Sequence, residues 1–210
     1  MSFLNLDKFA ATPLVREPFD FIVVPGFLRA EALPALNEAF PRIDRPGSFP
    51  MSVLNYGEAF GALVDELRGP PVRTAFAGKF GVDLTGRPAM VTVRGRCREK
   101  DGRIHTDTKS KIITVLIYMN PGCEGPGGRL RLLRSADDID DVVAEAPPEE
   151  GTLIAFRRSE NSFHGHEPFV GERRVIQLNW VTDRKVVERE QARHRLSARL
   201  KGLNPLARLA

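Results

Sequence analysis

The chain has 210 residues, of which 42% are hydrophobic and 28% charged, and these values are typical of one soluble globular domain. No apolar run approaches the ~20 residues of a membrane span, and the start lacks a basic region followed by an apolar stretch, so we expect a cytoplasmic protein without a secretory signal. Residues 184–210 hold eight basic and two acidic residues, a net +6 against a total of +4, which leaves −2 on residues 1–183 and argues against a body built to bind nucleic acid.

The first 88 residues predict one strand and three helices. An apolar run at 19–24 indicates the strand. Apolar residues at helical spacing indicate helices over 29–40, 57–68 and 71–80, while prolines and a glycine indicate a loop over 41–50. We interpret this segment as a buttress for a sheet.

After Pro88 the hydrophobic period changes to two, which indicates β-structure. Residues 135–151 are acidic and suggest a surface excursion with one helical turn. Short strands punctuated by Gly and Pro favour a mainly β fold with flanking helices, an antiparallel jelly roll (double-stranded β-helix). The predicted strands are residues 91–98, 111–120, 129–133, 152–156 and 173–182.

We expect residues 1–183 to form a single domain, with the buttress over 1–88 and the jelly-roll core over 89–183. The rest, 184–210, is predicted to be a basic helix over 184–201 followed by a tail. Its apolar stripe is narrow, being formed by Leu196, Leu200 and Leu203. Packing on its own domain is favoured, and peripheral contact with an anionic membrane or a protein partner is the alternative.

Three arginines, Arg94, Arg96 and Arg98, are predicted to share one face of a strand. Either this face is solvated, or it forms a wall of an active-site mouth that attracts an anionic substrate. The cysteines, Cys97 and Cys123, are too few for a disulfide framework, so we interpret them as two unrelated reduced thiols.

Two histidines and one aspartate form a candidate metal site. His105 and Asp107 are two residues apart, so both side chains can reach one ion from an extended chain. His164 would complete a set of two histidines and one carboxylate, the ligand set that leaves open positions on non-haem Fe(II). His166 competes as third ligand, although we expect it to contact the ligands or the substrate instead.

Open positions on the iron could take a chelating 2-oxo acid and O₂, and the far carboxylate of such an acid needs a fixed cation. Arg174, ten residues after His164, suits this role because its planar fork binds a carboxylate through two hydrogen bonds. From spacing alone, an alternative is that these histidines lie in loops on the rim of a sandwich.

At these residues the chain resembles the Fe(II)- and 2-oxoglutarate-dependent oxygenases, in particular their prolyl-4-hydroxylase-like branch. The resemblance covers about residues 88–183 and rests on five segments in family order: GRIHTD, ITVLIYMN, GPGGRLRLL, GTLIAFRRSENSFHGHEP and GERRVIQLNW.

The resemblance implies that His105, Asp107 and His164 bind Fe(II). It implies that Arg174, with Arg173 as its close rival, pairs with the distal carboxylate of the co-substrate 2-oxoglutarate, and that Tyr118 helps to bind it. With O₂, such a dioxygenase would hydroxylate a substrate, releasing succinate and CO₂.

Two other classes of function stay open from the sequence. One is a metal-binding, cupin-like jelly roll without oxygenase activity, acting in sugar binding or regulation. The other is an adaptor that works through its basic tail. The arginines around the site give weak support for an anionic substrate, while a protein side chain or a small amino acid remains an alternative.

Overall fold

The structure, a computed structural model, describes residues 2–122, 128–147 and 149–203, with side chains of the last helix described as far as residue 193 and at Leu196. Within these ranges the α-helices are α1 Leu6–Ala11, α2 Leu33–Ala39, α3 Glu58–Arg68, α4 Pro70–Phe80 and α5 Arg184–Leu203. The strands are β1 Phe21–Val24, β2 Phe49–Pro50, β3 Ala89–Cys97, β4 Lys111–Tyr118, β5 Arg131–Leu133, β6 Val142–Glu145, β7 Leu153–Arg157, β8 His164–Gly165 and β9 Gly171–Val181.

The strands form two antiparallel sheets. The larger has six strands in the order β1-β7-β4-β9-β3-β2, and the smaller has three in the order β6-β5-β8. In the larger sheet β9 lies between β4 and β3. Side chains on one face of β9 therefore point into the space between the two sheets. This is the mainly β architecture with flanking helices that the sequence predicts.

The alternation of β9 separates two hydrophobic cores. Ile176 and Trp180 face the helices, and Trp180 packs on Phe76 of α4 with ring centroids 4.9 Å apart. Val175 faces the other way and joins a second cluster with residues of the smaller sheet, such as Leu132. Successive side chains of a strand point to opposite faces. One face of β9 therefore packs against the helices, and the other faces the smaller sheet.

Helices α3 and α4 lie within one residue of their predicted bounds, whereas α2 begins four residues later than predicted and α5 ends two residues later. Four short elements, α1, β2, β6 and β8, were not predicted. The predicted loop 41–50 contains β2. The acidic segment 135–151 contains β6 instead of a helical turn, and salt bridges from Arg131 to Asp140 (2.7 Å) and to Glu145 (2.8 Å) join its acidic side chains to β5. Because charged residues form these cross-strand ion pairs, the segment lacks the clear alternation of apolar and polar residues from which a strand is predicted.

The prediction that three arginines share a face of β3 was wrong. The pairing of β3 with β9 shifts register between Arg94 and Arg96, where a Cβ on Gly95 would lie 2.5 Å from Ile43. Arg94 precedes this bulge and lies on the cavity face of β3 with Thr92, whereas Arg96 follows it and is exposed. Arg98 instead pairs with Asp101 at 3.2 Å.

Helix α5 packs against β2 and β9. Asp183 caps its start by accepting a hydrogen bond from the Val186 N–H at 3.2 Å, and Val186 is buried. The predicted stripe cannot be followed further, because the side chains of Leu200 and Leu203 lie outside the described residues. A search of the described helices found none with the length and apolar character needed to cross a bilayer.

Candidate metal and co-substrate site

The two candidate histidines are 59 residues apart in sequence but form a backbone bridge. The N–H of each donates to the carbonyl of the other at 3.0 Å, so His105 and His164 are paired as in an antiparallel ladder. The approach is close enough that a Cβ on Gly165 would lie 2.7 Å from the Gly102 carbonyl oxygen. The bridge brings the His-x-Asp segment to the short strand β8.

The donor atoms of His105, Asp107 and His164 all lie within 4.8 Å of one another. Nδ1 of His105 is 2.8 Å from the Arg103 carbonyl oxygen, and Nδ1 of His164 is 3.0 Å from that of Ser162. Because a carbonyl oxygen only accepts, each Nδ1 carries the proton and each Nε2 keeps its lone pair for a metal. The three residues therefore fit a divalent transition metal with open positions.

Hydrogen bonds hold the carboxylate of Asp107 in place. Lys111 Nζ lies 2.5 Å from Oδ1, and the Thr114 hydroxyl donates to Oδ2 at 2.5 Å. Thr114 Oγ1 also lies 2.9 Å from the side-chain amide of Asn179 on β9. Burial alone would raise the pKa of Asp107, but the charges of Lys111 and His164 with these hydrogen bonds hold the pKa below its usual value. The group is thus ionised, as a metal ligand must be.

Burial lowers the pKa of His164 from 6.5 to about 4, against the opposing attraction of Asp107. At neutral pH the imidazole is therefore neutral. A neutral ring is the form that binds a metal.

A cavity of about 300 Å³ lies between the sheets beside these residues. The six-stranded sheet supplies a polar wall to it. Residues of the loop before β2 and of helix α5 lie at its edge. The lining includes Thr92, Arg94, Arg173, Gln177, Ser48 and Glu190.

Arg173 is buried and lines this cavity. Its Nε donates to the carbonyl of Gly128, and its NH2 donates to the Tyr118 hydroxyl at 3.1 Å. The same hydroxyl accepts from the N–H of Leu130 at 2.8 Å. Tyr118 is not among the described residues that line the cavity. Its hydroxyl therefore holds the guanidinium group from the side that faces away from the cavity.

The structure does not bring Arg174 to the cavity. Its Nε pairs with Glu172 Oε1 at 2.5 Å, and its guanidinium lies 5.2 Å from the ring centroid of Phe40. Strand alternation places Arg173 inward and Arg174 outward. The structure therefore places Arg173, and not the predicted Arg174, at the cavity that holds the candidate metal ligands. The turn between β8 and β9 hides this parity from the sequence.

Comparisons with known proteins agree with this geometry. Residues 95–182 match the model of the 2OG-Fe(II) oxygenase superfamily. This stretch, 88 of the 210 residues, contains the three candidate metal ligands and Arg173 and is similar to that superfamily. The chain therefore carries the domain of a 2-oxoglutarate-dependent dioxygenase, whose metal is Fe(II) and whose co-substrate is 2-oxoglutarate. No curated protein matches the chain significantly.

Solved structures show the same fold. A prolyl-4-hydroxylase from Pseudomonas putida is 19% identical with a TM-score of 0.55, over 84% of this chain and 97% of the other. The viral collagen prolyl hydroxylase of Paramecium Bursaria Chlorella virus-1, in complex with 2OG, is 17% identical with a TM-score of 0.52, over 77% and 96%. The oxygenase thus has the fold of the prolyl-4-hydroxylase-like branch.

His166 lies in the cavity of the oxygenase but outside the metal-binding group found among the described residues. Its Nδ1 lies 2.7 Å from the Glu167 carbonyl oxygen. Burial, and then the charge of Arg173, lower its pKa to about 4. His166 is therefore neutral at neutral pH and lies on the cavity wall.

The metal-free oxygenase should lose stability on mild acidification. In the folded protein, His164 and His166 stay neutral down to a pKa of about 4, whereas in the unfolded chain they take up protons near pH 6.5. The unfolded state then binds more protons, so the free energy of unfolding should fall as pH decreases through this window. Urea denaturation of the chelator-treated protein at about pH 7.5 and about pH 5 measures it.

A His166→Asn variant removes one of the two groups, so its urea midpoint should change less between the two pH values than that of the wild type. Equal midpoints for the wild type at both pH values would contradict the expectation.

Proposed function

We propose that the oxygenase hydroxylates a small polar substrate in a reaction that consumes 2-oxoglutarate and O₂ and releases succinate and CO₂. The observation that carries this proposal is one cavity in which two free imidazole nitrogens and a carboxylate lie at one end, and a buried arginine lies on the wall. Bound Fe(II) would supply the activation of O₂. The protein's own groups would bind the co-substrate, orient the substrate and exclude competing reactions.

We propose His105, Asp107 and His164 as the iron ligands. Their support is the compact donor set and the two Nδ1 hydrogen bonds, which fix both tautomers before a metal arrives. The Thr114 hydroxyl and Lys111 would keep the carboxylate oriented and ionised.

We propose Arg173 as the group that pairs with the distal carboxylate of 2-oxoglutarate. Its guanidinium is buried, cationic and immobilised by Tyr118 and Gly128, so little rotamer entropy remains to be lost when a carboxylate binds. Tyr118 then acts through Arg173, as a positioning residue. This differs from a direct contact between Tyr118 and the co-substrate.

The finer description of the fold is also part of the proposal. The two facing antiparallel sheets are interpreted as a double-stranded β-helix over residues 89–183, buttressed by residues 1–88 in one domain. The packing of α3 and α4 on the outer face of the six-stranded sheet supports the buttress. We also propose a cytoplasmic location, because the two cysteines of the sequence are too few for the disulfide framework of a small secreted domain.

Turnover of 2-oxoglutarate by the purified protein tests the proposed function. Incubation with Fe(II), ascorbate, 2-oxoglutarate and air should release succinate even without a prime substrate, and omission of Fe(II) or O₂ should abolish the release. Metal binding without any affinity for 2-oxoglutarate would instead support a cupin-like binding protein. A cupin-like protein has no need for the buried Arg173.

The adaptor hypothesis predicts a different result. If the function resided in the basic tail, deleting residues 184–210 would abolish it. The catalytic reading predicts that uncoupled 2-oxoglutarate turnover survives this deletion, because the metal ligands and Arg173 all lie upstream.

A further inference from the structure

A second arginine reaches the cavity besides Arg173. Arg94 is partly buried on the inner face of β3, and its Nε donates to the hydroxyl of Ser48 at 3.0 Å. The bulge at Gly95 separates it from Arg96, which lies on the outer face. The local backbone therefore directs one arginine of this strand, and not its neighbour, into the active site.

The charge of Arg94 has no ion-pair partner in the part of the chain that the structure describes, since no carboxylate lies within 4.0 Å of its guanidinium. Asp101, a carboxylate whose charge acts on Arg94, is paired with Arg98. Burial and the nearby charge of Arg173 lower the pKa of Arg94. Desolvating a cation without a counter-ion is costly, and a bound anion would offset the cost.

The two arginines serve different parts of the cavity. Arg173 is held towards β4 and the segment before β5, through Tyr118 and Gly128. Arg94 is held towards Ser48, directly before β2, on the opposite side of β9. The two guanidinium groups are close enough for the charge of Arg173 to lower the pKa of Arg94, but their hydrogen bonds anchor them in opposite directions. Once 2-oxoglutarate occupies Arg173, Arg94 is left for another anion.

The surroundings of Arg94 suit a polar ligand. Thr92 and Gln177 line the cavity beside it, and they face each other across the β3–β9 ladder. Helix α5 packs on β2 and contributes Glu190 and Arg193 to the same cavity. This part of the cavity thus has hydrogen-bonding groups on its wall and a charged helix at its edge.

We propose that Arg94 and Ser48 form a binding site for a carboxylate or phosphate group of the prime substrate, separate from the 2-oxoglutarate site at Arg173. This inference rests on the proposed function and names the substrate class of the same active site, an anionic small molecule. The remaining donors of the planar guanidinium can take such a group through two parallel hydrogen bonds.

Anion binding to the loaded enzyme tests this proposal. The affinity for 2-oxoglutarate is measured first, in the anaerobic full-length protein with Fe(II). The 2-oxoglutarate-saturated enzyme is then titrated calorimetrically with sodium phosphate and with sodium acetate, and with sodium chloride at equal ionic strength as reference. We expect saturable binding of at least one of the two oxyanions, stronger than that of chloride.

Two substitutions on the same strand make a matched pair. Arg94→Gln should weaken oxyanion binding about tenfold or more, because a charge-assisted hydrogen-bond pair is lost, while Arg96→Gln should leave it unchanged. Arg94→Lys keeps the charge and should retain more of the binding than Arg94→Gln. All three variants should bind 2-oxoglutarate as the wild type does, which also shows that they are folded.

Three results would overturn the proposal. Oxyanions could bind the wild type no better than chloride, or Arg96→Gln could weaken binding as much as Arg94→Gln. Alternatively, Arg94→Gln could lower the affinity for 2-oxoglutarate, which would place Arg94 in the co-substrate site. Failure of the wild type to bind 2-oxoglutarate at all is a different outcome and would contradict the proposed function itself.

Discussion

A His164→Ala variant should lose Fe(II) binding and 2-oxoglutarate turnover, whereas His166→Ala should bind Fe(II) as the wild type does. His164 offers a neutral, oriented Nε2 within 4.8 Å of the other two donor groups, and His166 stands outside that group. Removal of a direct ligand should weaken metal binding by more than the roughly 10- to 100-fold typical of losing an outer hydrogen-bond partner. Anaerobic Fe(II) titration and succinate release measure the two effects.

Thr114→Val provides a graded control for this experiment. It keeps all three proposed ligands and removes only the hydroxyl that binds Asp107 Oδ2, so its loss of Fe(II) affinity should fall within about 10- to 100-fold. If His166→Ala lost Fe(II) as completely as His164→Ala, the ligand set would be wrong. Unchanged Fe(II) affinity in His164→Ala would contradict it as directly.

The signals by which the sequence predicts the candidate metal site are local. His105 and Asp107 need only an extended backbone to share one side, and His164 lies in a short segment flanked by glycine and proline. What the sequence does not contain is the backbone bridge between His105 and His164, since pairing across 59 residues depends on the arrangement of both sheets. The resemblance to a family indicates that arrangement only through the fold that it implies.

The errors in the prediction concern parity, that is, which face of a strand a side chain lies on. A strand's two faces follow from counting residues by two, and one irregularity reverses the count. The bulge at Gly95 separates Arg94 from Arg96, and the turn before β9 puts Arg173 inward where Arg174 was expected. Neither irregularity has a marker in the residue types alone, because glycines occur at many positions in this chain.

The two parity errors have one consequence for function. Arg94 and Arg173 are the arginines of β3 and β9 that line the cavity, while Arg96 and Arg174 lie together in a separate pocket on the outer surface with Glu172. The preference for an anion that the sequence suggested therefore resides in fewer arginines of these strands than were expected, and these are the buried Arg173 and the partly buried Arg94. A buried cation discriminates ligands more strongly than an exposed one, because solvent screens it less.

Replacing Arg173 with glutamine should raise the Kd for 2-oxoglutarate by about 30-fold or more, since truncating one partner of a buried charge pair typically costs roughly 2 kcal/mol or more. Arg174→Gln should leave the Kd nearly unchanged, because its partly exposed pair with Glu172 lies outside the cavity. The Kd is measured by titrating 2-oxoglutarate into the anaerobic Fe(II) enzyme, so it does not depend on a prime substrate.

Tyr118→Phe separates charge from positioning in the same assay. The variant keeps the buried guanidinium and removes the hydroxyl that holds its NH2 at 3.1 Å, so the Kd should rise by less than in Arg173→Gln, about five- to tenfold for one lost hydrogen bond. Fe(II) affinity should stay unchanged in all three variants, because none of these side chains belongs to the donor group. If Arg174→Gln raised the Kd and Arg173→Gln did not, the carboxylate would bind on the outer face of β9, and the proposed co-substrate site would be wrong.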